Sequence, residues 1–170
     1  MLLDAQREVV RASIQEQNYE HTLDKPQRLI SWILQVLVGA IFVMALIPKL
    51  TGDEGSIALF EVLGVEPIGR YAEGIGELVA VILLLNPKTS VIGAVVSLVV
   101  ITGAIMAHIT KLGISIDPVA LGRPELSAAE GPTMFIMAVM VFVASLIVVI
   151  IRRAQLPIVG SKFSSKAAKA

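Results

Sequence analysis

Three uninterrupted runs without a single Asp, Glu, Lys or Arg, residues 29–47, 90–108 and 133–151, constrain this chain more than any other feature. A helix needs about 20 mostly apolar residues to cross the hydrocarbon core of a bilayer. A soluble helix of that length carries a polar face, and these runs carry none. A fourth run, residues 69–85, is apolar apart from Arg70, Glu73 and Glu77. The runs stop at Pro48-Lys49, Asn86-Pro87-Lys88 and Arg152-Arg153. The runs at 90–108 and 133–151 are rich in Val and Ile, which also suit strands, but strands average about 5–6 residues and these runs contain no turn signal. The expectation is an all-α protein, a four-transmembrane-helix bundle over residues 29–151. It is flanked by a segment at 1–28 and a basic tail at 152–170.

Composition narrows the function classes. Hydrophobic residues make up 55% of the chain and the formal net charge is zero, so nothing marks a nucleic-acid partner. The absence of cysteine removes disulfides, thiol redox chemistry and thiolate-held iron–sulfur clusters. Residues 29–47 follow a polar segment and lack a small-residue cleavage site, so they read as a retained span.

With four spans, both termini and the turn at 86–89 share one side. That side holds Lys25, Arg28, Lys88, Arg152, Arg153, Lys162, Lys166 and Lys169 near the membrane. The other side holds Lys49, Arg70, Lys111 and Arg123. The excess of Lys and Arg predicts cytoplasmic termini and a cell (inner) membrane location. Trp32 and Tyr71 stand near span ends, where interfacial aromatics belong.

Outside the spans, residues 2–20 place Leu3, Val10 and Ile14 on one helical face. This predicts an amphipathic helix lying on the leaflet or docking a partner subunit. In the first outer loop, Ser56 as N-cap, Gly64 as stop, and Ile57, Phe60 and Leu63 on one face predict a short interfacial helix. The second outer loop, 109–132, has turn signals at Asp117-Pro118, Gly122-Arg123-Pro124 and Gly131-Pro132, and is long enough to cap the outer face. Small residues four apart (Gly76 and Ala80, Gly93 and Ser97, Gly103 and Ala107) predict close helix contacts. The last run has few small positions and should face lipid.

One polar constellation stands out. Arg70, Glu73 and Glu77 are three and four residues apart and share a helical face. Ionisable groups inside a membrane are costly and turn toward the bundle interior or a cavity. Lys49 and His108 end their runs on the same side, so Lys49, Arg70, Glu73, Glu77 and His108 should converge beneath the outer loops. No comparable set is expected on the inner half. The plainer role for such a set is an interhelical ion-pair network. The sharper one is a pocket for a polar head such as a quinone ring or an anion, or a proton path. No spacing motif marks a metal site. His21 and His108 fall on opposite sides, so they cannot share a haem.

The chain resembles the DoxX-like family of small four-helix membrane proteins. The likeness rests on Gly39-Ala40-Ile41-Phe42 leading to Pro48-Lys49-Leu50, and on Phe60 with Leu63-Gly64. It continues through Gly74-Ile75-Gly76-Glu77 and Gly103-Ala104-Ile105-Met106-Ala107-His108, spanning about residues 33–150. The resemblance implies an accessory subunit of a membrane-bound, quinone-linked redox or respiratory complex, with the lipid bilayer and other membrane-protein subunits as partners. Lys49, Glu77 and His108 are the matched polar positions. The N-terminal extension and the long second loop depart from the family's minimal pattern and favour docking.

Overall fold

The computed structural model describes residues 6, 7, 10, 23–123, 126 and 130–153. The described residues form helices and the turns between them, with no strand. Helix α1 runs Lys25–Thr51, α2 Glu54–Leu63, α3 Ile68–Leu85, α4 Ser90–Ala107 and α5 Glu130–Ile151, and a π-helical turn at His108–Leu112 prolongs α4. Most of the proposed N-terminal amphipathic helix lies outside the described residues, although Gln6, Arg7 and Val10 are helical. The basic tail beyond Arg153 lies outside them too.

Four helices close into a ring: α1 packs on α3, α3 on α4, α4 on α5, and α5 back on α1. Three of them, α1, α4 with its π turn, and α5, are long and apolar enough to cross a membrane. Their outward surfaces are apolar, with Ile33, Met44, Val99 and Ile136 among the exposed residues. A soluble protein rarely exposes contiguous apolar surface on this scale. The protein is therefore a membrane protein with lipid around its apolar helices.

The core follows the inward faces. Val38 and Phe42 of α1, Ala80 and Leu84 of α3, Ala94 and Ile101 of α4, and Ala138, Val141, Ala144 and Val148 of α5 form one cluster. Along α5 and into the residue after it, the inward stripe Ala138, Val141, Ser145, Val148, Arg152 repeats every three and four residues. One face of α5 is thus buried, and only the other face is free for lipid. At Gly93 an added Cβ would meet the backbone of Leu83 and Leu84. Glycine there is what lets α4 lie directly on α3 after the short turn. Gly76 also sits in a tight contact, its would-be Cβ 3.0 Å from Val100, whereas Gly103 meets nothing within 4 Å and is exposed.

Several element ends differ from the sequence expectation. Helix α1 continues through Pro48 and Lys49 to Thr51, and Gly52 at φ 77° ends it. Proline near a C-terminus still permits its own φ, and the left-handed turn is what terminates the helix. Helix α2 is capped by Asp53 rather than Ser56: the Asp53 carboxylate accepts from Gly55 N at 3.1 Å and Ser56 N at 3.3 Å. Gly64 ends α2 as expected, at φ 77°. Helix α5 begins at Glu130, so Gly131 and Pro132 are its first turn rather than a loop. Proline in a first turn loses no intrahelical bond.

The second loop folds over one end of the ring. Asp117 accepts from Val119 N and Ala120 N, both at 3.0 Å, which nucleates the turn predicted there. Ile116 and Leu126 bury against Ala58 of α2, with Leu59 and Leu121 beside them. Arg123 pairs with Glu61 at 2.6 Å, and Lys111 donates to the Leu63 carbonyl at 3.1 Å. Loop and α2 together roof this end of the bundle.

Candidate functional site

Beneath that roof lies a cavity of about 510 Å³. Its walls come from every helix: Phe42, Met44 and Lys49 of α1, Phe60 of α2, Glu73 and Glu77 of α3, Ala104 of α4, and Met134 and Met137 of α5. His108, Ile116 and Leu126 complete it. Most of the lining is apolar, and three of its polar groups, Lys49, Glu73 and Glu77, meet directly. That volume and that mixture are typical of small-molecule sites.

Gly74 explains why the polar groups meet. It stands between Glu73 and Glu77, and an added Cβ would lie 3.1 Å from Leu50 Cδ2 and 3.4 Å from Lys49 Cβ. The missing side chain lets the end of α1 lie against α3, so Lys49 reaches both glutamates. Its Nζ donates to Glu77 Oε1 at 2.6 Å and to Glu73 Oε1 at 3.1 Å. The two bonds are unequal in setting, since the Glu77 side chain is 3% exposed and that of Glu73 24%. Glu77 Oε2 is buried with no hydrogen-bond partner among the described residues.

Arg70 shares the face of Glu73 and Glu77 but turns away from the cavity. Its guanidinium binds Glu66, with Nε at 2.9 Å and 3.0 Å from the two carboxylate oxygens and Nη2 at 2.8 Å. Nη1 donates to the Lys49 carbonyl. That carbonyl belongs to the last turn of α1, where intrahelical donors have run out. Arg70 is thus a cap for α1, and it stacks on Tyr71 with Cζ 4.4 Å from the ring centre. Sequence reasoning grouped Arg70 with Glu73 and Glu77 and missed Glu66, four residues before it.

His108 is buried at the start of the π-helical turn. Its Nδ1 lies 2.9 Å from the Gly113 carbonyl, and its ring meets Phe135 edge-on at 5.7 Å between centres. A carbonyl can only accept, so Nδ1 carries the hydrogen and Gly113 fixes the orientation of the ring. Of the five expected residues, the structure brings Lys49, Glu73, Glu77 and His108 to one cavity and leaves Arg70 outside its walls. No three of His, Asp or Glu among the described residues stand close enough to hold a metal.

The opposite end of the bundle is not empty of polar groups, contrary to expectation. Arg152 is 1% exposed, and its Nε donates to Ser31 Oγ at 2.7 Å. Gln35 Nε2 donates to the same oxygen at 2.7 Å. Ser145 and Ser90 are buried as well. Arg152 had been expected to end its span at the surface. The inward stripe of α5 instead carries it under α1.

No family model, curated protein or solved structure matches this chain.

Proposed function

We propose that the chain is a four-span membrane protein that holds a membrane-soluble, polar-headed molecule in the cavity beneath the loops. The single observation that carries this is a cavity of about 510 Å³ whose mostly apolar walls include Lys49, Glu77 and His108. The head of the ligand meets those groups and its body meets Phe42, Met134 and Met137.

Helix α3 is the fourth span in this proposal. Its 18 residues rise about 27 Å, close to the hydrocarbon thickness. Its charged residues turn inward while Ile75, Val79 and Ile82 are exposed. The Lys and Arg asymmetry supports cytoplasmic termini and a roof on the far side. The chain has no cysteine, so single cysteines report topology directly. Lys88→Cys and Asp117→Cys should label from opposite faces of sealed vesicles with an impermeant maleimide. Labelling from the same face would remove the fourth span.

Occupancy of the cavity is tested by gentle extraction followed by mass spectrometry of bound small molecules. Ala104→Trp should fill the space and abolish whatever the native protein carries. An unchanged bound molecule in that variant would place it elsewhere. A quinol suits the cavity, since Glu73, Glu77 and His108 among its walls offer polar partners for the head while the apolar remainder suits the ring. This is the link to the quinone-linked complex that the DoxX-like resemblance implies. Stoichiometric redox subunits in the same extract would support an accessory role, and their absence would count against it.

A further inference from the structure

The cavity has one side that the protein does not close. Most residues of its wall are buried or half-buried, but Met44, Asp53, Thr133 and Met134 line it and are also exposed. A residue that faces both a cavity and the outside stands at a mouth. Met44 belongs to α1, Thr133 and Met134 belong to α5, and Asp53 follows the end of α1 and caps α2. The mouth therefore lies on the seam between α1 and α5, with Asp53 at its upper lip. Met44 falls within the uncharged run 29–47 and Met134 within 133–151, so the seam faces hydrocarbon and not water.

Packing accounts for the gap. Toward Arg152, Val38 and Phe42 of α1 share the core cluster with Ala138, Val141, Ala144 and Val148 of α5, and Arg152 is tied to Ser31. The cluster takes nothing from α1 beyond Phe42 and nothing from α5 before Ala138. Above that level the seam carries Met44, Ala45, Met134 and Met137, small or flexible side chains that can part around a hydrocarbon chain. The roof is better closed: Ile116 and Leu126 are buried against Ala58, and the Arg123–Glu61 pair and the Lys111 bond to Leu63 hold the loop on α2.

The polar wall limits the head. An ammonium has three N–H groups, and Lys49 directs two of them to Glu77 and Glu73. Glu73 is the more exposed of the two carboxylates. An anionic head would stand against both, and a cationic head would compete with Lys49 for them. Hydroxyls donate and accept at once, so they can meet Glu73 and Lys49 without breaking the pair. At about 510 Å³ the cavity matches a drug-sized molecule, and a longer chain fits only by passing out through the seam.

We infer that the cavity opens sideways into the bilayer between α1 and α5, and that its occupant is a single-chain amphiphile with an uncharged, hydroxyl-bearing head whose tail stays in the lipid. The inference rests on the cavity being a ligand site and adds its route of entry and the class of its occupant. A quinol with one long tail and a monoacylglycerol share this chemistry.

The test uses the full chain in lipid nanodiscs doped with either an alkyl hydroquinone or a monoacylglycerol. Each probe is made with a photoreactive diazirine beside the head or at the end of the tail, and peptide mass spectrometry maps the labelled residues. The head diazirine should label Phe42 and Ile101, which line the cavity and are almost inaccessible from outside. The tail diazirine should label exposed residues and leave Ile101 untouched. Lengthening the tail at equal mole fraction in the lipid should not change labelling of the inner wall, because the added carbons stay in the bilayer. Labelling by one probe alone would identify the source of the head and still support the inference. The chain has no cysteine of its own, so paired cysteines can staple each route with a bis-maleimide. Met44→Cys with Met134→Cys, once stapled, should lose labelling of the inner wall. Glu61→Cys with Arg123→Cys, stapled across the roof, should keep it. If a cysteine pair fails to fold, the contrast of head with tail and the tail-length series in the wild-type chain still decide. Equal labelling of the inner wall by head and tail, a cut-off with tail length, or loss on stapling the roof and not the seam would each overturn the inference and leave the cavity a ligand site. The same holds if neither probe labels the inner wall while Ala104→Trp loses the molecule that the native protein carries. No labelling, together with a native molecule unaffected by Ala104→Trp, would remove both proposals.

Discussion

Replacing Lys49 by methionine keeps the length of the side chain and removes the ammonium that holds Glu73 and Glu77 to α1. At 2.6 Å and an effective dielectric of about 20, the gross attraction between Lys49 and Glu77 is about 6 kcal/mol. Desolvation of both groups cancels much of it. What the substitution measures is the cost of leaving Glu77 buried without its cation, about 3–5 kcal/mol for a broken buried pair. Glu73 is more exposed, so its share should be under about 1 kcal/mol. The expected pattern is a loss of about 3–5 kcal/mol for Lys49→Met, recovery of at least half of it in Lys49→Met with Glu77→Gln, and little recovery when Glu73→Gln is the second change. Reversible unfolding by dodecyl sulfate in mixed micelles, run as a double-mutant cycle, reads each value. A loss below about 1 kcal/mol for Lys49→Met, or equal coupling to both glutamates, would refute the assignment of Glu77 as the principal partner.

Gly93→Val should prevent α4 from seating on the backbone of Leu83 and Leu84 and lower stability by about 1–3 kcal/mol or more, whereas Gly103→Val, in open space, should stay within about 0.5 kcal/mol; thermal unfolding in nanodiscs compares the two. Asp53→Ala removes the acceptor for Gly55 N and Ser56 N and should cost about 1 kcal/mol, seen as faster amide exchange over the first turn of α2. Ser31→Ala withdraws the oxygen that accepts from both Gln35 and Arg152, and should cost about 1–3 kcal/mol in the same dodecyl sulfate assay. Full stability of that variant would show that the Ser31 hydroxyl is dispensable.

What the sequence made legible and what it hid divide along a physical line. Long uncharged runs announce helices because nothing else satisfies their length and composition. The meeting of Lys49 with Glu73 and Glu77 was legible because charges in such runs are rare and topology leaves them few places to go. The Arg70 partner was not legible: Glu66 and Glu73, four residues before and three after, are both within helical reach, and the carbonyl left over at the end of α1 drew the guanidinium aside. The α2 cap was displaced from Ser56 to Asp53 because Gly-Asp-Glu-Gly-Ser offers two capping side chains three residues apart, and the left-handed turn at Gly52 brings the first into place. The cluster around Arg152 was hidden for a different reason. Serine and glutamine barely disturb an apolar run, and Ser31 and Arg152 are 121 residues apart in sequence.

The two polar clusters also account for how the helices of the ring find one register. Between helices in lipid the hydrophobic effect contributes little, since the tails are as apolar as the side chains, and packing and hydrogen bonds must choose the alignment. Helix α1 carries both devices, at opposite ends. Near its C-terminus Lys49 ties it to α3, and near its N-terminus Ser31 ties it to α5 through Arg152. Between them the contact surface is Val38, Gly39 and Phe42, which slides more easily than it locks. A shift of α1 by one turn, about 5.4 Å, would break both ties at once while leaving the apolar packing largely equivalent. The ion pair at the cavity is therefore both a feature of the proposed site and half of what positions it. Altering Lys49 should disturb the shape of the cavity as well as its charge, whereas altering Ser31 should loosen α1 without touching the cavity's chemistry.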